Sequence, residues 1–238
     1  MMAVQKVLEH AGVNATVSDE VKVSQNRSLF ALTIDIANAG AIAEQLSAVS
    51  AETGFCPLFP YKTDLCYLSG ELAGKPEKWK KLSSTTLEAG NRIDVDNWLA
   101  QKGEPDRPVG DFSKRKMQMT QIPVSETLIL VPVKESWQIP SIFTFGGGGW
   151  NECPPTAVHI ALLKRWQQRY GAELACMGVD SITCRVKSPV STREEALSLA
   201  IEQYAYCPDD VLQGHGNGTL SGAAIDLMDA KVWQFWWD

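Results

Sequence analysis

The stretch KVWQFWWD, residues 231–238, sets Trp233, Phe235 and Trp237 on alternate positions. Alternation at period two puts the three rings on one face of a β-strand. An aromatic side chain buries about 150–250 Å2, and at about 25 cal/mol per Å2 each ring contributes several kcal/mol once it leaves water. A strand loaded in this way cannot fray cheaply, so it is expected to be internal.

The segments before it read as alternating strands and helices. Residues 126–134, ETLILVPVK, are nearly continuous in apolar and β-branched residues, the pattern of a strand covered on both faces. Over 156–170, His159, Leu162, Leu163, Trp166 and Tyr170 share one helical stripe, with Lys164, Arg165, Gln168 and Arg169 mostly away from it. GAELACMG and SITCRVKS then give two short strands about a turn at Gly178–Asp180. In STREEALSLAIEQYAY, Thr192 and Glu195 make a capping box, and Leu197, Ala200, Ile201 and Tyr204 are the expected buried stripe. Pro208 ends that helix, QGHGNG forms a loop, and TLSGAAIDLMDA gives a third helix with Asn217 or Thr219 as its cap. The order from 126 onward predicts an α+β fold, a mixed and largely antiparallel sheet with helices packed on it.

The first half is less regular. Residues 2–10 suit a short helix, and 28–36 a strand with Phe30, Leu32, Ile34 and Ile36 on one face. A helix with Ile42, Leu46 and Val49 follows, stopped at Gly54, and FCPLFPY reads as a short buried segment. Residues 62–121 are polar and rich in Gly, Pro and Lys, with only DVDNWLAQKG looking helical. The chain thus divides into an N-terminal α/β portion, 1–122, holding this loop-rich segment, and a C-terminal α+β module, 123–238. One continuous domain is the alternative.

A net charge of -6 and a pI near 5.2 argue against non-specific nucleic-acid binding and permit a basic protein partner. No run of about 20 apolar residues is present, and the N-terminus lacks the apolar core of a secretion signal. The six cysteines form no Cys-x-x-Cys pair. They are expected to be reduced and buried in a cytoplasmic protein that needs no cofactor.

GGWNECPP, RWQQRYGAEL, TREEALSLAIEQYAYCPD and WQFWWD together resemble the bacterial family catalogued as domain of unknown function 4253, over about residues 126–238. DVDNWLA is similar to a piece found upstream in longer members. The resemblance implies a bacterial, cytoplasmic α+β module with no established activity, of a kind that occurs as immunity or accessory proteins beside toxins and on mobile DNA.

The site candidates gather around FTFGGGGWNECPP, residues 143–155. A phosphate loop needs a Lys-Ser/Thr pair after its glycines, and this stretch has a Trp there instead. Cys153 lies near a helix N-terminus, where the dipole favours a thiolate. His159 is six residues on, a spacing at which two side chains of one helix are not expected to touch. His215 can approach from the glycine loop, with Glu152 or Asp209 to orient it, giving a thiol- or metal-dependent hydrolase as one reading. Cys153, Cys207, Asp209 and His215 match no established zinc spacing. The bland alternative makes Asn151 and Glu152 helix caps, with Cys153, His159 and Cys207 as packing residues. The leading expectation is a non-enzymatic binding protein whose surface collects Trp150, Asn151, Glu152, Tyr206, Asp209 and Asp238. Asp238 either projects into solvent or is held there by donors such as Trp150, Asn151 or Arg165.

Overall fold

The computed structural model describes residues 2–24, 27–61, 76–103, 105, 112, 121–143, 145, 152–214 and 218–238. In chain order these form α1 (Met2–Ala11), β1 (Thr16–Ser24), β2 (Arg27–Thr33), α2 (Ala39–Ala48), α3 (Ser50–Thr53), β3 (Cys56–Pro60), α4 (Pro76–Arg92) and α5 (Val95–Lys102). They continue with β4 (Thr127–Val131), α6 (Ile139–Phe143), α7 (Thr156–Tyr170), β5 (Ala172–Met177), β6 (Ser181–Val186), α8 (Arg193–Tyr206), α9 (Leu220–Leu227) and β7 (Val232–Trp236).

The strands make one open mixed sheet in the order β1-β2-β4-β3-β5-β6-β7. Among the described strands only β3 and β5 run parallel. Because β4 lies between β2 and β3, the sheet runs across residue 122 without a seam. The fold class is the α+β one expected from the order of elements.

β4 shows why the sequence reads as it does. Leu128 and Leu130 join a core made with Phe30, Leu32, Phe59 and the inner faces of α1 and α2, including Val4, Leu8, Ile42 and Leu46. Ile129 and Val131 point the other way, into a core with Leu58, Leu162, Trp166, Leu199 and Trp233. A strand between two helical layers has no face left for water, hence its unbroken apolar run.

The Trp-rich strand is buried: Trp233, Phe235 and Trp237 all lie in the second core. Among the described residues helices rather than strands enclose it, since β7 takes the last place in the sheet and pairs there with β6 alone. The segment after α8 covers its other edge. There the Cys207 thiol donates to the Trp236 carbonyl at 3.1 Å, and Asp209 Oδ2 accepts the Asp238 N–H at 3.2 Å.

Four features depart from the expected reading. α4 occupies part of the segment expected to lack regular structure. Its contact with α7 is made through Gly90, where a Cβ would stand 2.6 Å from Ile160 Cγ2, so a missing side chain carries the packing and leaves no apolar signal. The short helix α6 was not anticipated. Ile36 is exposed, because β2 ends at Thr33 and Asp35 accepts the Ala37 N–H to begin a 3-10 turn. On α8 the buried stripe is Ala196, Leu199, Ala200, Glu202, Gln203 and Tyr206, and Ile201 faces outward. The cause is Glu202, whose carboxylate takes the Trp166 indole N–H at 2.6 Å and the guanidinium groups of Arg165 and Arg169, both at 3.2 Å. Counting apolar residues cannot find a stripe that a paired carboxylate occupies.

Deleting residues 233–238 removes three buried rings and the β6–β7 ladder. After discounting for partial structure in the unfolded chain, the loss is several kcal/mol, comparable with the roughly 5–15 kcal/mol margin of a typical domain. The truncated chain should be insoluble or melt without a cooperative transition. A soluble variant with a sharp melt would contradict this placement of the strand.

Candidate functional site

His159 lies in the first turn of α7 on its inner stripe and is wholly buried. Its Nδ1 meets the Tyr206 hydroxyl at 2.5 Å, and its Nε2 stands 3.6 Å from Cys153 Sγ. The expectation that Cys153 and His159 do not touch is therefore corrected. Cys153 is not on the helix: α7 begins at Thr156, and Pro155, at its N-cap, is extended with ψ 151°. Glu152 takes a left-handed φ of 49°, unusual for a residue with a Cβ. A turn there followed by an extended Cys-Pro-Pro lead brings the thiol back along the helix. Glu152 is exposed and α7 has no side-chain cap, so the capping role expected of Glu152 is not observed.

Three rings surround the imidazole, at centroid distances of 4.8 Å for Phe145, 5.2 Å for Trp237 and 5.3 Å for Tyr206. Loss of water inside this aromatic cage pushes the His159 pKa down to about 3, opposed only by a hydrogen bond to the Pro154 backbone. Proline has no N–H, so that bond runs from an imidazole N–H to the Pro154 carbonyl. Burial likewise pushes the Tyr206 hydroxyl well above its ordinary value, leaving it protonated. His159 and Tyr206 thus form a neutral hydrogen-bonded pair, with the Cys153 sulfur against the other ring nitrogen. A catalytic Cys-His pair works through thiolate and imidazolium, and this ring is placed where the imidazolium is strongly disfavoured.

The other candidates fall in three groups. Asp209 and Asp238 meet beside the end of β7, whereas Tyr206 is wholly buried with its hydroxyl on His159 and is not available to the expected surface. Asp209 is nearly buried, accepting from the Asp238 backbone through Oδ2 and from Gln213 through Oδ1 at 3.3 Å. The tie on Asp238 comes from an acceptor rather than from the donors expected, and Arg165 is engaged with Asp96 and Glu202. Cys207 is buried with its thiol on Trp236, and burial raises its pKa far above the ordinary value. Trp150, Asn151 and His215 lie outside the described residues. Among the described residues no three His, Cys, Asp or Glu side chains come together as metal ligands.

The His159 environment has a consequence for acid stability. Its folded pKa is lowered, so between pH of about 3 and 6.5 the unfolded chain binds a proton on this ring that the folded chain does not. Stability therefore falls as pH drops through that window, by about 2 kcal/mol at pH of about 5 from this group. Urea unfolding of the wild type and of His159→Gln at pH of about 7 and about 5 isolates the effect, since the variant lacks this proton uptake and should show a correspondingly smaller pH dependence. Equal pH dependence in the two proteins would show that the folded state accommodates the imidazolium.

No curated protein and no solved structure matches this chain. A family model does match, over residues 127–238, from the first residue of β4 through all the elements that build the His159 cage. The family whose model matches this C-terminal part is the one described as domain of unknown function DUF4253.

Proposed function

We propose that this chain is a non-enzymatic binding protein of the immunity type, which masks a basic protein partner. The observation that carries the reading is the exposure of Trp236 and Leu212, 37% and 38% accessible, on β7 and on the 210–214 turn that packs beside it. Large apolar side chains in water are the usual anchors of protein interfaces, tryptophan above all. The net charge of -6 supplies the complementary element, since an acidic protein attracts a basic partner over a distance of about 10 Å at moderate salt. The neutral His159–Tyr206 pair supports the same reading, because its chemistry is that of a packed hydrogen-bonded core.

A second reading, a thiol-dependent hydrolase, rests on the 3.6 Å approach of Cys153 to His159. It requires Cys153 to alkylate with iodoacetamide at neutral pH much faster than the strand cysteines Cys176 and Cys184.

Tagged full-length protein used as bait in a lysate of the source strain, with products of neighbouring genes added, should retain a stoichiometric basic protein. Retention should fall with added salt and with the double substitution Trp236→Ala and Leu212→Ala. Failure to retain any partner, or retention indifferent to both changes, would contradict the proposal.

A further inference from the structure

The family-matched stretch begins at Thr127 and so holds β4 and, after it, β5, β6 and β7. In the sheet these four strands are not contiguous. Among the described residues both neighbours of β4, which are β2 and β3, come from before residue 127, and β3 separates β4 from β5. At a strand spacing of about 4.8 Å, β4 and β5 stand about 10 Å apart, too far for any ladder bond between them. Taken alone, the matched stretch would leave both edges of an apolar strand unpaired, an arrangement that stable sheets avoid.

β3 fills the gap with five buried residues. Its side chains serve both layers: Cys56 and Leu58 enter the core with Leu162, Trp166 and Trp233, and Phe59 enters the one with Leu32 and Leu128. Just beyond the strand, the Tyr61 N–H donates to the Met177 carbonyl at 3.2 Å. The Tyr61 hydroxyl accepts from Gln234 of β7 at 3.0 Å and meets Thr183 of β6 at 3.3 Å. This short segment thus reaches every strand of the matched stretch. α4, also upstream of the match, seats Gly90 against Ile160 of α7. Yet Pro57 and Pro60 have no N–H to give, and proline is rare in the middle of a sheet. β3 is therefore held by its side chains more than by its ladder, and packing of that kind does not depend on covalent continuity with β4.

We propose that residues 127–238 are an incomplete fold with a strand-acceptor slot between β4 and β5, which the N-terminal half completes by donating β3 even when the chain is cut between the halves. The slot takes an extended segment with apolar side chains on both faces, here residues 56–60 of this same chain. The inference does not rest on the partner surface proposed above.

A protease recognition sequence inserted between Pro123 and the exposed Val124 lets the full-length protein fold before it is cut. The cut halves should co-elute as one 1:1 species on size exclusion under native conditions and part only in denaturant. Native-state hydrogen exchange in the uncut protein separates this outcome from two self-sufficient domains that merely adhere. Leu58→Ala removes a wholly buried side chain from β3, and should speed exchange about a hundredfold at Leu32 of β2 and equally at Phe235 of β7. Leu58→Val, with an expected factor of about five, serves if the first variant does not fold. Separation of the cut halves under native conditions, or acceleration confined to one of the two amides, would overturn the proposal.

Discussion

The structure depends on an aromatic stack between β7 and the helices above it. Trp166 of α7 lies parallel to Phe235, with centroids 5.2 Å apart and planes inclined by 10°. Tyr206, closing α8, presents its edge to Trp166, Phe235 and Trp237 at 5.0, 5.1 and 5.2 Å. Stacked and edge-on pairs at these distances gain about 0.5–1.5 kcal/mol each beyond the area they bury. The same rings fix where α7 and α8 sit, and hence where His159 and Gln203 point. The charged network around Glu202 holds those two helices together at the rim, so the stack and the ion cluster constrain the same pair from two sides.

Much of this was legible in the sequence where one residue type carried the signal. The period-two aromatics of KVWQFWWD, the unbroken apolar run of β4 and the Thr192 cap, which accepts the Glu195 N–H, each follow from local chemistry. The losses occurred where packing uses the absence of a side chain or a paired charge. Gly90 against Ile160 brings α4 onto α7, and Glu202 displaces the apparent stripe of α8. Neither leaves a hydrophobic period to detect. Burial of β7 follows from its rings, but its place at the end of the sheet does not, because strand order depends on which partners the whole chain provides.

The site shows the same division. Asp209 and Asp238 meet through a backbone N–H, while Tyr206, expected on the same surface, is buried against His159. The contact between Cys153 and His159 was hidden by the assumption that both ride on one helix. Two prolines and a left-handed Glu152 make the approach to α7 extended instead.

The central claim is that β7, though last in the sheet, is held as firmly as any core strand. Native-state hydrogen exchange tests it at single amides. The Trp237 N–H, bonded to the Asp180 carbonyl at 3.0 Å, and the inward-facing Trp233 and Phe235 amides should exchange only through global unfolding. Their opening free energies should then equal the stability measured by denaturant. Opening at these three positions well below that value, with β4 still protected, would show that the edge strand detaches on its own and that the aromatic stack does not secure the fold.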